Sequence, residues 1–232
     1  MNKMKELIKQ IIFGIIIVDL LVGFFHWIED TYFCYSSSNS IIREIAQDND
    51  LHHYYPRSIL SYSYFENCTV TIPLVIIILL LLYTINKTFF MKYKYSMLVI
   101  LIFGSISNIF HKFLHMRRCE KSDFLNFLQD NYIIANSEQH KDHHINSTDN
   151  YCVILYFNNV LLKKIYFWYY LEKILYILFG IKRLNPKNYD KYTQIQNKFH
   201  KLLESDCPKV LTKNEINILK KELNKMYNNE KC

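Results

Sequence analysis

The chain has 232 residues; half are hydrophobic, 16% are aromatic, 21% are charged, and the formal net charge is +7. Such a composition excludes a disordered polar or charged tail protein, and four glycines and four prolines exclude collagen-like and Pro-rich polymers. The positive charge does not indicate a nucleic-acid partner. Alanine occurs only at Ala46 and Ala135, while Ile, Lys, Asn and Tyr are abundant throughout, the mark of an A+T-rich coding sequence that favours lysine. The six cysteines (Cys34, Cys68, Cys119, Cys152, Cys207 and Cys232) form no C-x-x-C pair, so buried or incidental thiols are expected rather than a disulfide framework or a thiolate zinc site.

In chain order, three stretches predict membrane spans, at about 7–25, 68–86 and 95–110. Each approaches the ~20 apolar residues needed to cross a bilayer core. The first is retained rather than cleaved as a signal peptide, because no small-residue cleavage site follows it. Asp19 interrupts that span, and a carboxylate at such depth needs a partner or a polar cavity. It has two readings, a structural pairing or support for a functional cluster. An apolar hairpin at 151–180 is short, so it is either a re-entrant pair or an interfacial one. The expected fold is therefore an all-α, multi-pass membrane helical bundle occupying residues 1–184. A polar helical tail, 185–232, begins at the Asn185-Pro186 break. In the tail, Thr212 and Glu215 fit a capping box, and Ile216, Leu219, Leu223 and Met226 share one helical face, best read as a packing face against the main body.

Nine histidines carry most of the information. They fall at His26; His52-His53; His111 and His115; His140, His143 and His144; and, alone in the tail, His200. His111 and His115 are spaced i,i+4. His140, His143 and His144 are spaced i,i+3,i+4. Each set thus projects from one helix face, and imidazoles on adjacent turns can share a metal ion. Threading the three spans through a bilayer brings all eight clustered histidines to the same membrane face. So many imidazoles exceed what one ion uses and imply a centre with more than one metal. Asp30, four residues after His26, has three readings, a ligand, an imidazole orienter or a helix-end residue, of which the orienter is preferred.

The same residues resemble the motifs of the Kua/CarF lipid desaturases, a family that includes plasmanylethanolamine desaturase and the plant plastid palmitate desaturase. His26-Trp27-Ile28-Glu29-Asp30-Thr31 resembles the H-W-x-x-D-T box. His52-His53-Tyr54-Tyr55-Pro56 matches H-H-x-x-P, and Asn108 through His115 resembles the H-x-x-x-H box. His140-Lys141-Asp142-His143-His144 follows, then Asn150-Tyr151-Cys152 and Trp168 with Glu172. The likeness runs from about residue 12 to 185. Gln139 before the last box resembles the plastid branch, whereas Glu66-Asn67 resembles the ether-lipid branch.

The resemblance implies that His26, His52, His53, His111, His115, His140, His143 and His144 hold two Fe ions, with Asp19, Asp30, Asn108 and Gln139 supporting them. It implies an O2-dependent oxidoreductase that introduces a double bond into a chain of a membrane glycerophospholipid, either an ether-linked alkyl chain or an acyl chain. No dinucleotide fingerprint is present, so electrons would come from a cytochrome b5-type or ferredoxin-type donor. The rival readings are a diiron lipid hydroxylase and a haem-binding electron carrier. Lysines 3, 5, 9, 87, 92 and 94 fall on the far side. Arg43, Arg57, Lys112, Arg117, Arg118, Lys121 and Lys141 fall with the histidines, a slight lean toward a cytosolic histidine face at the endoplasmic reticulum.

Overall fold

The computed structural model describes residues 2–184 and 210–227. The Asn185-Pro186 break, His200 and the side chain of Met226 lie outside the described residues. All regular structure among the described residues is helical.

Helix α1 (Asn2–Tyr32) and helix α3 (Tyr64–Ile85) are long and apolar enough to cross a membrane. Between them, on one side, lies α2 (Ser40–Tyr54), started by the Asn39 side chain, which accepts from the amides of Ile41 and Ile42. A short α4 (Lys87–Lys92) makes the turn on the opposite side. The third expected span is a broken one. Helices α5 (Lys94–Ser105) and α6 (Ser107–His115) meet at Ile106 with a bend of 44°. A break in a helix frees backbone carbonyls, which are expensive in an apolar setting. Here two hydroxyls take them up: Thr71 donates to the Ser105 carbonyl at 2.6 Å, and Ser107 donates to the Gly104 carbonyl at 2.8 Å.

Helix α5 lies along α1 and also packs on α3. Small residues set the approach. A Cβ on Gly104 would stand 2.8 Å from Val75 Cγ2 and 3.3 Å from Val18 Cγ2, so glycine lets three helices meet at one level. Val18, Val75, Leu79, Met97 and Ile100 fill the resulting core. At the far end, Gln10 ties α1 to α5: its side chain donates to the Lys92 carbonyl and its own carbonyl accepts from Ser96 Oγ.

The segments beyond α6 assemble on the side of α2. They are α7 (Asp123–Asp130), α8 (Ser137–Asn146), α9 (Tyr156–Lys164) and α10 (Phe167–Phe179). The 151–180 stretch is thus a helical hairpin. Its longer arm has 13 residues, about 20 Å of helix, short of the ~30 Å hydrocarbon core. Most of the α10 side chains are exposed, Ile177 and Phe179 at 67% each, in keeping with a helix lying against lipid. A last helix, α11 (Lys213–Tyr227), packs on α2, and Ile216, Leu219 and Leu223 are its buried stripe, as the apolar spacing predicts. The Thr212–Glu215 capping pair is formed in both directions.

One expectation is corrected. Cys34 is disulfide-bonded, while Cys68, Cys119 and Cys152 are free.

The hydroxyl at position 71 is expected to be worth more than its size. Thr71→Val keeps the shape but strands the Ser105 carbonyl, which should cost about 1–3 kcal/mol. Thermal unfolding in detergent should show a clearly lower midpoint; an unchanged midpoint would contradict this account of the bend.

Candidate metal centre

Four helices deliver the histidines. Helix α1 carries His26 and Asp30 on successive turns. The last turn of α2 carries His52 and His53, α6 carries His111 and His115, and α8 carries His140, His143 and His144. All eight clustered histidines come together at one end of the bundle. Their ligand atoms sort into two groups, each within 4.8 Å: His52, His111, His115, His140 and His144 in one, and His26, Asp30, His53 and His143 in the other.

The fine geometry identifies what these groups suit. In the first group, the Nε2 atom of His111 lies 2.9 Å from that of His140 and 3.1 Å from that of His52. His144 Nε2 lies 3.1 Å from His140 Nε2. Ligands at right angles on an ion with metal–nitrogen bonds of about 2.1 Å would stand ~3.0 Å apart. In the second group, Asp30 Oδ1 is 3.0 Å from His53 Nε2, and Asp30 Oδ2 is 3.0 Å from His143 Nε2. Imidazole with one carboxylate suits iron among other first-row metals.

Two of the rings have their other nitrogen pinned. His26 Nδ1 is 3.0 Å from the Tyr151 carbonyl, and His143 Nδ1 is 2.8 Å from the Asp149 carbonyl. A carbonyl only accepts, so each Nδ1 carries the proton and each Nε2 presents its lone pair inward. Buried His115 Nε2, His143 Nε2 and Asp30 Oδ2 have no hydrogen-bond partner among the described residues. Burial, reinforced by neighbouring histidines, holds His52, His140 and His144 well below the ordinary imidazole range. They are therefore neutral, the state that binds metal.

Asp30 meets the Nε2 atoms of His53 and His143, a placement open to orienting an imidazole and to serving as a ligand, and its carboxylate stands among the atoms that could hold an ion. Asp19 does not touch the histidines. Its carboxylate accepts from the Ile154 amide at 2.8 Å, the Leu155 amide at 3.1 Å and Asn158 Nδ2 at 2.9 Å. It therefore caps the start of α9 and holds that helix against the first span. Gln139 also works at one remove, accepting from Asn159 Nδ2 and donating to the Tyr156 carbonyl, which seats α8 on α9. Asn108 donates to the Asn67 carbonyl, and Glu66 closes a capping box with Ser63. The Glu66-Asn67 pair thus takes part in the start of α3 and in its packing on α6.

Sequence reasoning missed Asn49 and Tyr151 as parts of the site. Asn49 Nδ2 donates to Asp30 Oδ1 at 2.5 Å, and its place one turn before His52-His53 was the available signal. Tyr151 contributes through its carbonyl, which no side-chain pattern reveals. Trp27 stacks on Trp168 at 5.6 Å and donates to Glu172, which also pairs with Arg183, so the Trp168…Glu172 motif braces the His26 turn.

An apolar cavity of about 130 Å³ opens beside the centre. His26 and His111 lie at one end. Val18, Leu74, Ile78 and Ile100 line the part that runs between α1, α3 and α5. The histidines themselves leave no slot for a porphyrin: His26 and His111, the pair a haem carrier would use, have ring centroids 5.1 Å apart, with His140 and His143 packed against His26.

Residues 15–185 match the lipid desaturase domain family. The chain is 30% identical over 180 residues to a probable fatty acid desaturase of Acanthamoeba polyphaga mimivirus, covering 75% of this chain and 84% of that protein. It is 27% identical over 186 residues to plasmanylethanolamine desaturase 1 of Mus musculus, covering 75% of this chain and 67% of that protein. No solved structure matches.

Because burial keeps several imidazoles neutral, the metal-depleted chain should lose stability on acidification. Below about 6.5 the unfolded chain takes up protons that the folded chain does not, so stability falls with pH, by about 1.4 kcal/mol per pH unit for each such ring. Thermal melts of chelator-treated protein between pH 7.5 and 5.5 should show a steep fall below neutrality, and a flat profile would contradict neutral rings.

Proposed function

The chain belongs to the lipid desaturase family, and on that premise we propose that it is a diiron, oxygen-dependent desaturase of a membrane glycerophospholipid chain. The observation that carries this reading is the pairing of two adjoining nitrogen-rich ligand groups with an apolar cavity that ends on them. Bound iron would supply the activation of dioxygen and the removal of two hydrogens from neighbouring carbons, with two electrons drawn from a cytochrome b5-type or ferredoxin-type donor.

The protein's own contribution is position and dryness. His26 and His143, locked by the Tyr151 and Asp149 carbonyls, hold their Nε2 atoms toward the centre. Val75, Ile78 and Ile100 wall a channel that excludes water and takes a hydrocarbon chain. The channel runs from the histidine end toward the middle of the spans. A lipid lying with its tail inward therefore presents the carbons near its glycerol backbone to His26 and His111. This serves an ether-linked alkyl chain and an acyl chain alike.

Replacing His111 by alanine, in α6 at the cavity end, should abolish product, as should His143→Ala; His200→Ala should leave it intact. Lipid profiling after expression in a desaturase-deficient cell should show a species lighter by two hydrogens. A species heavier by one oxygen would instead make the protein a hydroxylase. A His200→Ala variant as damaged as the other two would overturn the assignment of ligands.

The Lys and Arg balance supports a histidine face toward the cytosol of the endoplasmic reticulum. Cys119 is free and exposed on that same side. A membrane-impermeant maleimide should label Cys119 in sealed microsomes; labelling that requires detergent would place the face in the lumen.

A further inference from the structure

Helix α11 lies outside the stretch that matches the family, yet it covers the helix that delivers two of the histidines. We infer that α11 is a clamp that positions His52 and His53, so that metal affinity at the centre depends on a helix added beyond the desaturase domain. This rests on the metal-centre reading above.

Three observations support it. First, α2 has its own hydrophobic core. Leu51, Tyr54 and Tyr55 are each no more than 3% exposed, and they cluster with Leu211, Ile216, Leu219 and Leu223, a core to which α1, α3 and α5 contribute nothing. Leu51 and Tyr54 directly flank His52-His53. The cover that buries the flanks therefore fixes the rotation of the ligand-bearing turn. Second, charge pairs tie α11 down at separate points: Lys220 to Asp48 on α2, and Lys213 to Glu66 at the start of α3. Third, α2 feeds both ligand groups through adjacent residues, as α8 does through His143 and His144. His52 stands with His111, His115, His140 and His144, while His53 stands with His26, Asp30 and His143. A small rotation of α2 would move one ligand in each group, and ligand placement is sensitive to the elements behind it.

The test uses the full-length protein in detergent, stripped of metal and titrated with Co(II), whose visible absorption band reports coordination geometry without turnover. Lys220→Glu and Asp48→Lys should each raise the half-saturating Co(II) concentration by about threefold to tenfold and alter the band, while helicity stays unchanged. The double variant Asp48→Lys/Lys220→Glu re-forms the pair with its charges exchanged and should return affinity to within about twofold of the parent. Leu219→Asp, which buries a charge in the clamp, should weaken binding by about tenfold or more; should it fail to fold, the exchange pair decides alone. Parent-like binding in both single variants, or a double variant as weak as the singles, overturns the clamp and leaves the metal centre standing. A parent chain that takes up no Co(II) overturns both.

Discussion

The whole site depends on one electrostatic constraint. Imidazole Nε2 atoms of His52, His111, His140 and His144 face one another across 2.9–3.1 Å in a largely buried pocket. Each neutral ring has a single N–H to share among these contacts, and burial makes an imidazolium expensive there. A cation set between the Nε2 atoms would take their lone pairs together. Asp30 adds the single carboxylate among the nine ligand-type residues, which would offset part of the charge of any bound metal.

Holding such a pocket together falls to polar residues that do not touch it. Asp19 is at 0% exposure within an apolar helix, and the start of α9 supplies three donors for it. That contact fastens the loop whose Tyr151 carbonyl fixes His26. Gln139 fastens α8, and the Trp27–Glu172–Arg183 chain fastens the last turns of α1 to the hairpin. These groups sit beside the histidine boxes in sequence because they build the frame around them.

Much of this was legible in the sequence. The i,i+4 and i,i+3,i+4 spacings placed each histidine set on one helix face, and the alternation of apolar stretches brought all the sets to one end. The division into two groups was not legible. His52 and His53 are neighbours in the chain, yet consecutive residues on a helix point about 100° apart, so they separate into different groups. The role of Asp30 was open for a related reason, since spacing shows that a carboxylate is near an imidazole but not which ring nitrogen it faces. Helix α2 was hidden inside a polar connection because its apolar residues are few and wait for a partner far along the chain. The break at Ile106 left no proline to announce it; the hydroxyl that completes it comes from Thr71, on another helix.

That break also acts as a ruler. Gly104 lies before it and Ser107, Asn108 and His111 after it, and all four line the cavity. The straight part of the helix runs along the cavity, and the bent part carries the His111 imidazole to its end. Moving the break by one turn would shift the metal-facing ring by about 5.4 Å relative to the floor. The distance from the cavity floor to that imidazole is thus set by where a single helix is interrupted.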